Sequence, residues 1–263
     1  MYNLLINSTF DLGINLKTPI PCELYVDKPN PSLTDNFKIL WVIEPNEISH
    51  IRESVIKNHK NFNVILTWDT EILSKCSNSH LYPFGTSWIL DYSFNDKEYK
   101  ITTLIGGKSS LIGHKIRHKL PQLLKGSRIP VDIFNSLNLP NLNLGNFKKI
   151  KDPNKKNELF YSQYHIAIEN INYNNYFSEK LIDCFQTKTI PIYFGAPNIG
   201  DFFDIRGMFI IENYEDILSL IDTITPETYN SKLEFIESNY VKSMEYSNFR
   251  ERIKTTILNE LKK

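Results

Sequence analysis

The chain has 263 residues, of which 41% are hydrophobic and 23% charged, so wholesale disorder is excluded and one large or two small domains are expected. Its 30 Lys and Arg balance 30 Asp and Glu, which argues against a protein whose main task is coating nucleic acid and leaves room for a local basic cluster. The three cysteines (Cys22, Cys76, Cys184) are an odd number without CxxC spacing, so neither a disulfide framework nor a zinc ribbon is expected.

The start, Met1-Tyr2-Asn3-Leu4, lacks the basic opening and apolar stretch of a signal peptide, and no run approaches the ~18 apolar residues of a membrane span. With the cysteine usage, this predicts a cytoplasmic location and no membrane span. Residues 37–43 (FKILWVI) read as a buried strand, followed by a helical stretch from Glu47 to about His59. Residues 63–67 make the next strand, Glu71–Lys75 a short helix, and 81–84 a third strand leading to Gly85-Thr86-Ser87-Trp88. The pattern then restarts with a strand at 100–105, a helix over Ile112–Leu124 and a strand at 131–134. Residues 135–157, rich in Asn, Pro, Gly and Lys, read as a long surface loop. Strands at 165–169, 190–194 and 208–211 follow, with helices at 176–187, 214–223, 229–245 and 248–261. Continuous apolar strands joined through helices predict an α/β protein with parallel sheets covered on both faces. Two doubly wound, Rossmann-like halves dividing near residue 95 are expected, with ligands at the carboxyl ends of the strands and in a cleft between the halves.

The densest chemistry lies in Glu169-Asn170-Ile171-Asn172-Tyr173-Asn174-Asn175-Tyr176-Phe177-Ser178-Glu179-Lys180. A strand ends at Glu169, and a helix capped by Asn175 is expected to place Tyr176, Glu179 and Lys180 on one face of its first turns. The free amides at that helix start suit a phosphate, Lys180 would add a charge to the same anion, and Glu179 could accept from two ribose hydroxyls. The same pattern also fits a well-capped helix with a surface Glu–Lys pair. A second strand-to-helix turn, Gly106-Gly107-Lys108-Ser109-Ser110, leads into a basic segment containing His114, Arg117 and His118. Cations this near a helix start cost stability unless an anion sits there, yet the GxxxxGK[ST] spacing of a P-loop is absent. His114 and His118 stand at i, i+4, but with no carboxylate between them and with cations nearby, a solvated basic face is the default over a metal site. Glu44, at the carboxyl end of the first strand, is placed to serve as a base, while Asp69 and Glu71 are either a helix cap or a metal-holding turn.

These clusters, in this order, resemble the α1,3-fucosyltransferase family of glycosyltransferases, glycosyltransferase family ten. The stretch from His165 to Phe203 looks like that family's donor-binding signature: EN, a short gap, Y-x-x-EK and then IPIYxGxP. SSLIGHKIRHKL followed by VDIF is similar to its segment with a donor-contacting arginine, and Ile43-Glu44-Pro45 to the turn carrying its proposed base. The resemblance implies a GT-B fold, with an acceptor-side Rossmann-like domain over 1–95, a nucleotide-sugar domain over 96–225, and terminal helices 226–263 packing back on the first domain. It implies an inverting, metal-independent transfer of fucose or a related deoxysugar from a GDP donor to a glycan hydroxyl, with no cofactor. Carried over by position, Glu44 would be the base, Arg117 and Lys180 the diphosphate ligands and Glu179 the ribose ligand, with Asn170 and Tyr176 lining the donor pocket. Two rivals stay open: a metal-dependent transferase using Asp69 and Glu71, and a nucleotide-binding protein without turnover.

Overall fold

A computed structural model describes residues 1–89, 92, 96–135, 148–150 and 156–263. Most of the expected 135–157 loop lies outside the described residues. The chain packs into two compact units: residues 1–84 with 174–176 and 248–263, and residues 85–173 with 177–247.

In the first unit the strands are β1 (Tyr2–Asn3), β2 (Leu5–Asn7), β3 (Lys17–Thr18), β4 (Cys22–Val26), β5 (Phe37–Trp41), β6 (Val64–Thr67) and β7 (Ser79–Leu81). Helices α1 (Asn46–Ser49), α2 (Arg52–Asn58) and α3 (Thr70–Lys75) lie between β5 and β7. The expected single helix from Glu47 breaks at His50, which takes a left-handed φ of 53°. The sheet runs β2-β4-β5-β6-β7, all parallel, while β1 and β3 form a separate antiparallel ribbon. Alternation along each strand sorts its side chains onto two cores. Tyr25, Leu40 and Ile65 stand in register across three strands and pack with Val55 of α2 and Ile72 of α3. Leu24, Ile39, Trp41 and Leu66 face the other way. Both faces are covered, which is why these strands read as unbroken apolar runs.

The second unit holds β8 (Glu98–Ile105), α4 (Ile112–Leu123), β9 (Val131–Asn135), β10 (Lys148–Lys149), β11 (Ser162–Ile168), α5 (Glu179–Gln186), β12 (Ile190–Phe194), β13 (Phe209–Ile210), α6 (Glu215–Ile221), α7 (Pro226–Asn230) and α8 (Leu233–Ser243). Its sheet runs β10-β9-β8-β11-β12-β13, every neighbour parallel. The chain therefore steps outward from β8 in one direction and, after β11, in the other. Between β8 and β11 lies a topological switch point, where loops leaving the strands diverge and open a crevice at the carboxyl ends. Tyr164, Ile166 and Ile168 of β11 join Ile116 and Leu120 of α4 in one core, and Ala167 joins Leu181 and Phe185 of α5 in the other. The last helix, α9 (Phe249–Glu260), sends Phe249, Ile253 and Ile257 into the core formed by β4, β5 and β6 of the first unit.

Two local readings are corrected. The helix expected from residue 176 begins at Glu179, and its cap is Ser178, whose hydroxyl accepts the Lys180 N–H at 3.4 Å. Asn175 instead takes a left-handed φ of 64° and donates its side-chain amide to the Trp68 carbonyl. The expected 229–245 helix is two helices, α7 and α8. Pro226 begins α7, where its missing N–H costs nothing.

Candidate active site

A pocket of about 470 Å³ opens at the switch point of the second unit. Its walls come from the end of β8 and its turn (Leu104, Gly106, Gly107, Lys108), the face of α4 (His114, Arg117), the end of β11 (Ile166, Ala167, Ile168, Asn170) and the start of α5 (Glu179, Lys180, Asp183). Lys156, Leu159, Phe160 and His165 complete the lining. Four of the sequence-derived candidates, Arg117, Asn170, Glu179 and Lys180, are brought together here from segments up to 63 residues apart.

Glycine makes the convergence possible. The Gly113 N–H donates to the Asn170 carbonyl at 3.1 Å, and a Cβ on Gly113 would fall on the Glu169 carbonyl oxygen. Only a residue without a side chain lets the first turn of α4 lie this close to the end of β11. That approach carries Arg117, one turn further on, onto the strand end. Its guanidinium donates to the Ile168 carbonyl at 3.0 Å and to Asn170 Oδ1 at 2.9 Å, which fixes it although the side chain is buried. Asn170 thus orients Arg117 as well as lining the pocket.

Glu169, unassigned by sequence reasoning beyond ending a strand, organises the other wall. Fully buried, it accepts the Ser178 backbone N–H and hydroxyl, each at 2.7 Å, and so anchors the helix cap. Burial raises its pKa. Lys180 Nζ lies 3.0 Å from Glu179, 3.7 Å from Glu169 and 3.1 Å from the Ser178 hydroxyl. Burial opposes the Lys180 charge, but Glu179 and Glu169 outweigh it and raise the pKa. For Glu179, burial likewise opposes ionisation, yet Lys180 and Lys156 hold its pKa down to about 2. The pair is therefore charged across the physiological range. Asp183, one turn along α5, accepts from the Ser87 hydroxyl and the Trp88 N–H, both at 2.8 Å on the same oxygen. Burial, reinforced by Glu179, lifts its pKa to about 7.

The α4 wall is basic but not uniformly charged. His114 Nδ1 accepts the Leu111 N–H at 3.2 Å, a bond that requires the ring nitrogen to be unprotonated. Burial first, then Arg117, Lys108, Lys180 and His118, depress its pKa to about 4. His118 Nε2 meets the Gly106 carbonyl at 2.8 Å, so both histidines are engaged with backbone. The lining brings four basic side chains, Lys108, Arg117, Lys156 and Lys180, beside the carboxyl groups of Glu179 and Asp183. Such a surface attracts an anion and keeps one carboxylate for neutral donors.

The other two candidates lie in the first unit. Glu44, half-buried, follows β5, the middle strand of its sheet, and its N–H donates to Asp27. Tyr176 is buried with its ring 4.8 Å from Trp68 in an edge-on contact, and it does not line the pocket. Asp69 caps α3 through the Glu71 and Ile72 amides and pairs with Arg52 at 2.7 Å. Among the described residues no three His, Cys, Asp or Glu side chains are grouped as metal ligands would be, and no helix is long and apolar enough to cross a membrane.

Each unit is a parallel-sheet, Rossmann-like fold and the second carries an anion-suited pocket at its switch point, the architecture of the GT-B fold class. Comparison with known proteins makes this specific. The model of the glycosyltransferase family 10 (fucosyltransferase) C-terminal region matches residues 100–262, more than half of the chain, and the chain belongs to that family. Over 71 residues it is 35% identical to the alpha-(1,3)-fucosyltransferase FucT of Helicobacter pylori, a stretch that spans 26% of this chain and 15% of that one. In fold it is similar to an α1,3-fucosyltransferase crystallised with GDP-fucose, at a TM-score of 0.54 and 14% identity, covering 92% of this chain and 78% of that one. It is also similar to TarM, at a TM-score of 0.59 and 13% identity, covering 92% of this chain and 55% of that one.

Proposed function

We propose that this chain is an inverting glycosyltransferase that moves fucose, or a related deoxysugar, from a GDP-sugar to a hydroxyl of a glycan acceptor. The observation that carries the reading is the set of fixed cations at the switch point, Arg117 held by the Ile168 and Asn170 oxygens and Lys180 held by Glu179. Family membership and the GDP-fucose complex of a similar fold support the donor class.

In this reading the diphosphate lies against Arg117, Lys180 and the start of α5, and Glu179 accepts from the ribose hydroxyls. As the acceptor oxygen bonds to the anomeric carbon, the bond from that carbon to the phosphate oxygen breaks and GDP leaves with the electron pair. Preorganised cations stabilise the charge that develops there, a task done elsewhere by a divalent metal. Glu44 takes the proton of the acceptor hydroxyl on the opposite face of the sugar.

The test is turnover of GDP-fucose with a panel of glycan acceptors, in EDTA, with the product's anomeric configuration read by NMR. Transfer with configuration opposite to the donor's supports the reading. Retained configuration, or a strict need for added metal, contradicts it.

A further inference from the structure

We propose that Asp27 is a positioning residue for the transfer, holding the turn that carries Glu44. The inference rests on Glu44 being that base.

Asp27 follows β4, next to β5 in the sheet. The β5 ladder ends at Trp41, and the chain then turns through Ile43 and Glu44 into Pro45. The Asp27 N–H still follows sheet pairing, donating to the Trp41 carbonyl at 3.0 Å. Beyond that point its side chain replaces the ladder. Asp27 Oδ1 accepts the Ile43 N–H at 2.9 Å, and Oδ2 accepts the Glu44 N–H at 3.2 Å. From the opposite side, Trp68 Nε1 donates to the Ile43 carbonyl at 2.9 Å. The peptide leading to Glu44 is thus clamped by both neighbouring strands. Asp27 does this from a left-handed backbone, φ 51°, which aspartate tolerates better than most residues.

The arrangement is costly as a purely structural device. Burial drives the Asp27 pKa up to about 7, the two amides pull it down, and the negative charge of Glu44 pushes it up again. Lys28, next in the chain, does not relieve this, since its ammonium donates to the Ser8 carbonyl at 3.2 Å. With its folded pKa above the unfolded value, Asp27 favours the folded state below the ordinary carboxylate range, and that contribution is lost as pH rises toward 7. A neutral amide would keep the Ile43 N–H bond through its single oxygen without that loss. The charge has a use in the reaction: ionised Asp27 repels ionised Glu44, and the repulsion vanishes when Glu44 accepts the acceptor's proton.

The experiment compares wild type, Asp27→Asn and Glu44→Gln in the full chain. Asparagine tolerates the left-handed φ and keeps one acceptor, so folding is preserved. We expect Asp27→Asn to lower kcat with GDP-fucose about 30–100-fold, as loss of base positioning does, while KM for the donor and Kd for GDP stay within about twofold. The rise of wild-type kcat through pH 7 should disappear in the variant, and its Tm at pH 8 should be no lower than wild type. Independently of any donor, carboxyl 13C NMR should show Asp27 titrating near 7 in wild type and lower in Glu44→Gln. Wild-type kcat and pH profile in Asp27→Asn, with Glu44→Gln inactive, would overturn the role of Asp27 while leaving Glu44 in place. A fall in kcat matched by a fall in Tm with an unchanged pH profile, or an Asp27 titration indifferent to Glu44→Gln, would also overturn it. Wild-type turnover in Glu44→Gln would instead remove the base reading on which the inference stands.

Discussion

Both units end their parallel strands in chemistry, but of opposite sign. In the first unit the strand order follows the chain, and β4, β5 and β6 are followed by Asp27, Glu44 and Asp69. In the second the order reverses between β8 and β11, and the residues gathered there are dominated by Lys108, Arg117, Lys156 and Lys180. In the sheet that never reverses, the carboxylates after the strands keep local roles: Asp69 caps α3 and pairs with Arg52, and Asp27 clamps the turn that carries half-buried Glu44. A reversing sheet opens a pocket in which fixed cations can act together on one ligand. The proposed function assigns proton removal to the acidic strand ends and charge stabilisation to the basic ones.

The largest effect should come from the acidic side. Glu44→Gln is expected to lower turnover by roughly 10²–10⁴, the usual worth of a general base, while calorimetric GDP affinity stays unchanged. Equal turnover would assign proton removal elsewhere. On the basic side, Gly113→Ala puts a methyl group onto the Glu169 carbonyl. Overpacking of that kind costs up to about 3 kcal/mol. Urea unfolding should show the loss, and GDP binding should fail with it because Arg117 is displaced. Lys180→Ala should weaken GDP binding about 10–100-fold, in line with the ~1.5–3 kcal/mol of a hydrogen bond to a charged group, and should also lower Tm because Glu179 loses its ion-pair partner; an unaltered Kd would exclude Lys180 from the diphosphate site.

The smallest effects are in stability against pH. Asp183 is raised to about 7 and so favours the folded state below pH 4, a contribution lost as pH climbs to 7. Both of its bonds fall on one oxygen, which an asparagine can supply. Asp183→Asn should therefore stabilise the chain at pH 8, on the order of 2 kcal/mol, and give no gain at pH 4. A loss at pH 8 would mean the charge itself is needed. His114 and His165, held to about 4 and about 3 by burial first, act in the opposite sense. The unfolded chain binds their protons from about pH 6.5 downward, so their contribution is present at neutral pH and falls away as acid is added.

Much of the second unit was legible in the sequence because its strands, buried on both faces, read as continuous apolar runs. The strands at 100–105, 131–134 and 190–194 stand within a residue or two of the observed ones. The first unit was less legible at its start. Leu5–Asn7 is a short, half-exposed strand, and Cys22–Val26 hides a buried glutamate in its middle. Glu23 is stabilised there by the Ser32, Thr34 and Asn36 side chains, partners that lie outside the strand and leave no periodic trace. In the site, Glu179 and Lys180 could be read from the turn that follows a strand end, whereas Arg117, inside α4, and Asn170 came from the family resemblance. Asn175 and Ser178 were exchanged as caps because both are good cap residues, and the choice was made by long-range bonds to Trp68 and Glu169. Asp27 gave no signal at all, since its meaning depends on a turn 16 residues away.

The most direct test is calorimetric titration of the whole chain with GDP, UDP and dTDP, with and without EDTA. The account predicts EDTA-insensitive binding of GDP in preference to the other two, reduced in Lys180→Ala and unchanged in Glu44→Gln. Binding of another nucleotide in preference to GDP, or loss of binding in EDTA, would contradict the claim that fixed cations at the switch point hold a guanosine diphosphate.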